Sequence, residues 1–465
     1  MNYSTTDTYK MKREIINFTK KFSSRLSSPE GKFLADMTYG IVSSKSCLLT
    51  QISQRLQEDI KKRYTVDRLS DHLSKGIPEE SQEDYLRFVR SITPCEPVIH
   101  IDDSDVVKPE ENHFGSLGIV RDGSRSTPEK SVYCKGYHVT EACVLTSSNH
   151  TVSIFSELHS SEEKSFTSMN SITFAAMERG SRLFKKAAYV MDRGYDGNKM
   201  FQKLWELGQD FVIRLTQKRK LFFHRKWVPA TELCAQRKGK VKLKLFYRGK
   251  EHEAYISHVK VQLTAAQRSV YLVLVYGITE HPMMLVTNKA ISNKDDVIKI
   301  ARLYFSRWRI EEYFRDKKQI FDFENFRVRK LKAINALNFY IGIAMCFLAH
   351  MTRKNAANAL LKSVLEAARP IKDKVQLQNR RRNRRVAQVR PLGHSGLVQT
   401  TTAKPIAAPF SLTCLKENNY IPFWAQLHFV IAPGSCAVFL FYSQFLPFFH
   451  YLPLILASYF VTHDI

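Results

Sequence analysis

SITFAAMERGSRLFKKAAYVMD, residues 171–192, carries the first clear architectural signal in the chain. Its first part spaces apolar residues as a helix does, and its end, AAYVMD, is an apolar run closed by Asp192, the pattern of a short buried strand. Upstream lie VIHI (98–101), SVYCKGYHVTEACVLT (131–146) and HTVSIFSEL (150–158), each rich in β-branched or aromatic residues. Strands, then a helix, then a strand predict a mixed α/β layer domain.

Downstream, GNKMFQKLWELG (197–208) reads as helix and DFVIRL (210–215) as strand. Strand-like, basic segments follow, from KLFFHRKW (220–227) through KVKLKLFYRG (240–249) and AYISHVKVQL (254–263) to VYLVLVYG (270–277), and predict a β-rich insertion at about 215–285. MMLVTN (283–288) is a further strand, and one long helical pattern runs from Asn293 to about Lys332.

From about Asn17 to Ile92 the pattern is helical, with few Gly or Pro. LLTQISQRLQED (48–59) and TVDRLSDHLSK (65–75), joined by the basic IKKRY (60–64), have the form of a helix pair that enters DNA grooves; a plain helical bundle is the other reading. These shifts divide the chain into a helical domain at 1–95, an α/β domain at 96–370 and a divergent tail at 371–465. The tail opens on the basic run QNRRRNRRV (378–386), and between Glu417 and Asp464 it holds no Lys, Arg, Asp or Glu. Its apolar stretch at 435–461 is long enough to span a bilayer, but two prolines interrupt it. A tail read through from a disrupted reading frame fits the abrupt shift best; a packed tail and a membrane anchor are the alternatives.

Lys and Arg number 71 against 44 acidic residues, a formal charge of +27, which points to a polyanionic partner, nucleic acid ahead of an anionic membrane. A hydrophobic content of 44% excludes a mainly disordered chain. The eight cysteines stand singly with no C-x-x-C pair, which argues against a zinc site. The amino-terminal MNYSTTDTYKMKREIINF lacks the apolar run of a signal peptide, so a cytoplasmic setting with reduced, mostly core cysteines is expected.

Three acids occupy suggestive places. Asp102 closes the strand VIHI in the context IHIDDSDVVK, Asp192 closes AAYVMD just before Gly194, and Glu311 lies in the later helix. Two carboxylates at strand ends and one on a packed helix form the oxygen-donor set that a hard cation such as Mg²⁺ requires. Each acid taken alone is more readily a turn former or helix cap. The sharpest local signal is YFSRWRIEEYFRDKKQ (304–319). At about 100° per residue, Tyr304, Arg307, Glu311 and Lys318 fall within a stripe about 60° wide on one helix face. That stripe suits a phosphate better than a core, although a surface helix carrying an Arg307–Glu311 pair explains it as well.

The Y-x-x-R-x-x-x-E-x(6)-K spacing resembles the signature of DDE transposases encoded by bacterial insertion sequences, in particular insertion sequence family four. RWRIEEYF, VMDRGYD and IDDS are similar to that family's sequence around its catalytic glutamate and its second and first aspartates, and the likeness covers roughly residues 96 to 335. The resemblance implies a ribonuclease H-like fold with a helical amino-terminal DNA-binding region. It also implies cut-and-paste transposition: metal-dependent cleavage at element ends, then strand transfer. Asp102, Asp192 and Glu311 would be the catalytic metal ligands for Mg²⁺, with Mn²⁺ able to substitute and Asp103 the rival for the first position. Tyr304, Arg307 and Lys318 would hold terminal-strand phosphates. The implied partners are DNA, as inverted repeats and target, and a second copy of the chain in a homodimer; the implied location is the bacterial nucleoid. The strand PMMLVTN (282–288) lacks the tryptophan with which hairpin-forming relatives stack a flipped base. Alternative readings are a DNA-binding remnant inactivated by its tail and a membrane-associated basic protein.

Overall fold

In the computed structural model, residues 5–354 are described except 111–112, 128, 248–249 and 264–267. The basic run at 378–386, the apolar stretch at 435–461 and the rest of the expected tail lie outside the described residues.

Five helices open the chain: α1 (Thr5–Thr19), α2 (Ser28–Ser44), α3 (Leu49–Leu56), α4 (Lys62–Lys75) and α5 (Glu79–Ser91). The helical region therefore begins earlier than its apolar periodicity indicated. Ser27 and Glu30 form a reciprocal capping box at the start of α2. Buried Phe22, Phe33, Met37, Ile52 and Leu69 join these helices to the main core.

The α/β region follows as β1 (Val98–Val107), β2 (Gly118–Arg121), β3 (Tyr133–Leu145), β4 (Thr151–His159), α6 (Met169–Leu183), β5 (Ala188–Met191), α7 (Asn198–Glu206) and β6 (Asp210–Arg214). The chain continues through β7 (Lys220–Phe223), β8 (Lys226–Pro229), α8 (Ala230–Ala235), β9 (Val241–Tyr247), β10 (Lys250–Gln262), β11 (Ser269–Tyr276) and β12 (Met283–Thr287). It ends in α9 (Lys294–Phe305), α10 (Trp308–Ile320) and α11 (Leu331–Lys354).

β4, β3, β1, β5 and β6 lie side by side, with β1 antiparallel to β3 and parallel to β5, and β5 parallel to β6. This is the mixed sheet of a ribonuclease H-like fold. β12 pairs antiparallel with β6 and β11 with β12, so the insertion strands extend the same sheet to twelve strands. β2, only four residues long, carried no readable sequence signal.

Side chains alternate across β1. Ile99 faces α6, where a Cβ on Gly180 would sit 2.8 Å from its Cδ1, so any side chain there would have to displace Ile99. Val190, Val212, Val273 and Leu285 face α9 instead, packing with Val297, Ile300, Tyr304 and Phe305. α11 contains the one described helix long and apolar enough to cross a membrane, Leu331–Met351, and 72% of its apolar window is buried inside the protein. Cys47, Cys143, Cys234 and Cys346 are buried free thiols, Cys134 is half-buried, and Cys95 is exposed.

Candidate active site at the open end of the parallel strands

Asp102 does not end its strand, contrary to the sequence expectation. β1 stays paired with β3 as far as Val107, and Asp102 lies in mid-strand opposite Glu141. What ends is the ladder on the other side: the parallel pairing with β5 stops at His100 and Val190. The carboxylate therefore emerges where the two parallel strands diverge, the position at which such sheets hold ligands. Asp192 directly follows β5 and caps a short 3-10 turn, its Oδ1 accepting from Gly194 N at 2.6 Å. A Cβ on Gly194 would stand 3.0 Å from that same Oδ1, so the glycine serves close approach to the carboxylate.

The single helical stripe expected for Tyr304, Arg307, Glu311 and Lys318 is broken. The chain turns between α9 and α10 at Ser306–Arg307, with Arg307 N bonding to Tyr304 O and Ile310 N to Arg307 O, three residues apart as in a 3-10 helix. The long helical pattern from Asn293 is thus two helices. Ser306 Oγ donates to Leu303 O at 2.6 Å and lies 2.8 Å from His100 Nε2, so the imidazole must supply the proton of that second bond. His100 is fully buried, and burial, reinforced by Arg309 and Arg307, lowers its pKa to about 3. A neutral histidine on β1, two residues before Asp102, thereby ties down the turn that presents Arg307.

Each member of the expected stripe has its own role in the structure. Tyr304 is buried on α9, and burial raises its pKa against the opposing charges of Arg307 and Arg214. Arg307 Nη1 donates to Asp102 Oδ2 at 2.8 Å while Nη2 donates to Glu311 Oε1. Burial opposes the Arg307 charge, yet Asp102 and then Glu311 hold its pKa above the usual value. Glu311, in the first turn of α10, keeps a side chain 56% exposed. Lys318 points back to the sheet, donating to Asp105 O at 2.7 Å and pairing with Glu324 at 2.9 Å.

Asp102 and Asp103 project to opposite sides. Asp103 accepts from Thr140 Oγ1 at 2.6 Å and Tyr195 OH at 2.8 Å, while Asp102 faces Arg307. Burial raises the Asp102 pKa to about 7; Arg307 opposes the rise, and Asp192 and Asp103 add to it. Asp192 is thus near enough for repulsion between the two carboxylates. A desolvated carboxylate crowded by another acid is the donor chemistry that suits a hard divalent cation. Among the described residues, no group of three His, Cys, Asp or Glu stands close enough to hold a metal ion in this arrangement, in which Arg307 lies between Asp102 and Glu311.

A family model described as a transposase DDE domain matches residues 93–347, more than half of the 465-residue chain. The chain belongs to the DDE transposase family. No curated protein matches it. As a DDE transposase it is an enzyme that works on DNA, and its family uses divalent metal ions. Sequence reasoning missed three parts of this candidate site in the transposase. These are the His100–Ser306 tie, the Tyr195–Asp103 bond, and a buried ion pair between Glu141 of β3 and Lys317 of α10, 2.9 Å apart and at most 1% exposed. The one available hint was a lone acid inside the apolar run HVTEACVL (138–145).

Proposed function

We propose that this transposase is of the insertion-sequence-family-four type and moves its element by cut-and-paste, cleaving at the inverted-repeat ends and joining them to target DNA as a homodimer. Asp102, Asp192 and Glu311 would hold Mg²⁺, with Mn²⁺ able to substitute. Such ions, when bound, activate the attacking water or 3′-hydroxyl and stabilise the leaving oxygen. The observation that carries this reading is Arg307 spanning Asp102 and Glu311 at the divergence of β1 and β5, inside the matched domain.

The guanidinium keeps two carboxylates side by side while no other cation neutralises them. Its planar fork equally suits a phosphate, so Arg307 is the group to clamp the terminal strand once the carboxylates are otherwise neutralised. Tyr304 and Lys318, assigned to phosphates with it, support that clamp from behind: Tyr304 fixes the end of α9, and Lys318 ties α10 to β1. Asp103, engaged with Thr140 and Tyr195, is a scaffold acid rather than the first ligand.

The test is Mg²⁺- or Mn²⁺-dependent cleavage of DNA carrying the element's own ends, comparing the full chain with Asp192→Ala, Asp102→Asn and Asp103→Asn. Cutting at the repeat boundary that Asp192→Ala and Asp102→Asn abolish and Asp103→Asn retains supports the reading. DNA binding without cleavage by the unmodified chain would sink it in favour of an inactive DNA-binding remnant.

A further inference from the structure

Asp102 and Glu141 face each other across β1 and β3, so their side chains leave the sheet on the same face. α10 and the turn before it supply a separate cation to each acid, Arg307 to Asp102 and Lys317 to Glu141. The first pair is reached by solvent; the second is sealed. Around Glu141, Ser153 Oγ donates to Oε1 and Ser156 Oγ to Oε2 at 2.7 Å. Lys317 Nζ also reaches Ser156 Oγ at 3.1 Å, and Asn338 of α11 donates to that oxygen at 2.7 Å. Tyr85 of α5 donates to Ser153 O at 2.9 Å. One buried polar network thus joins the amino-terminal helices, β3, β4, α10 and α11.

A buried ion pair is a poor stabiliser compared with apolar side chains of similar volume, but a slip that separates its partners leaves an uncompensated buried charge and is strongly disfavoured. Beyond these, α10 is tied by Lys318 to Asp105 O and by Arg309 to Asn149 O, both backbone oxygens nearer the surface, and its contacts through Ile310, Tyr313, Phe314 and Ile320 are less directional. A slip of α10 by one turn would move Glu311 by about 5.4 Å along the helix axis. We propose that Glu141 and Lys317 are positioning residues that lock the register of α10 on β3, and so set the distance from Glu311 to Asp102 at the metal-binding site. This inference rests on the reading of Asp102 and Glu311 as metal ligands.

The experiment measures Mn²⁺ binding by electron paramagnetic resonance, together with cleavage of end-bearing DNA, in the full chain and in the double variant Glu141→Gln/Lys317→Met. That variant removes both buried charges and strands neither. It is expected to fold and to bind DNA as the parent does, but to bind Mn²⁺ more weakly and cut more slowly by about 10- to 100-fold, the range typical when residues that orient metal ligands are replaced. Ser156→Ala, a smaller change to the same network, is expected to shift both readouts in the same direction and keeps the test decisive should the double variant fail to fold. Asp102→Asn, run in parallel, separates the two levels of the argument. If Asp102→Asn leaves Mn²⁺ binding unchanged, the site assignment fails and this inference fails with it. If Asp102→Asn abolishes binding while the network variants bind and cut normally, the positioning role alone is overturned.

Discussion

Arg307 and Asp102, 205 residues apart in sequence, meet at 2.8 Å where β1 and β5 diverge. The same guanidinium also holds Glu311, so the charge balance of the site runs through one side chain. Arg307→Lys keeps the charge but loses the two-pronged geometry. The expected outcome is a fall in cleavage rate of about tenfold or more with affinity for end-bearing DNA nearly unchanged. Single-turnover cleavage and a gel-shift titration check this; equal loss in both would place Arg307 in general DNA binding instead.

The elevated Asp102 pKa of about 7 sets a pH window. An unfolded aspartate titrates near 3.9, roughly, so the folded free protein favours the protonated form. That contribution to stability is complete below about 3.9 and is lost as pH rises through about 7. Metal binding needs the ionised carboxylate, so Mn²⁺ affinity is expected to climb across the same window with release of a proton. Calorimetric titration at pH 6 and pH 8 in buffers of different ionisation enthalpy measures both; a pH-independent affinity contradicts the prediction.

His100 gives the opposite sign. With a folded pKa of about 3 against roughly 6.5 unfolded, its contribution is present above 6.5 and lost as pH falls toward 3. Urea melts at successive pH values should show the unmodified chain losing stability on acidification, and His100→Gln showing a flatter dependence between those limits. Identical slopes would remove His100 as the cause.

Gly194→Ala introduces a Cβ 3.0 Å from the Asp192 carboxylate at an exposed turn. Stability should change by less than about 0.5 kcal/mol, the norm for a surface site, whereas cleavage should fall by about tenfold or more as the carboxylate is pushed aside. Thermal melting paired with cleavage rates decides it. A large drop in melting temperature would show that the glycine serves the fold.

Lys317→Met alone leaves Glu141 buried without its cation, at a cost of about 3–5 kcal/mol. Adding Glu141→Gln should recover most of that loss in denaturant melts. If the double variant is no more stable than the single, the network is held by something other than charge pairing.

Much of the architecture was readable because it rests on local pattern. VIHI and AAYVMD are apolar runs that end near acids, and Asp102 and Asp192 do flank the divergence of β1 and β5. The break between α9 and α10 was not readable. Nothing in LYFSRWRIEEY interrupts helical periodicity, and the turn is held by His100, more than two hundred residues upstream. Nor was the reach of Lys318 toward Asp105, or the pairing of Lys317 with Glu141, because each joins segments whose proximity exists only once β1, β3 and α10 have assembled. β2 escaped notice because four residues carry too little alternation to stand out.

The pairing of β12 with β6 has a mechanical consequence. The insertion is bonded edge to edge with the strand beside β5, whose end carries Asp192, and is not hung from the core on a flexible tether. From β10 through β11, β12 and β6 the pairing is continuous as far as β5. The β7–β8 hairpin, among the described residues, hangs on β10 by the single pair Gln262–Phe222, so a load on β10 reaches the carboxylate and one on β8 passes through that one pair. A force on β10 would therefore tilt the end of β5 together with it.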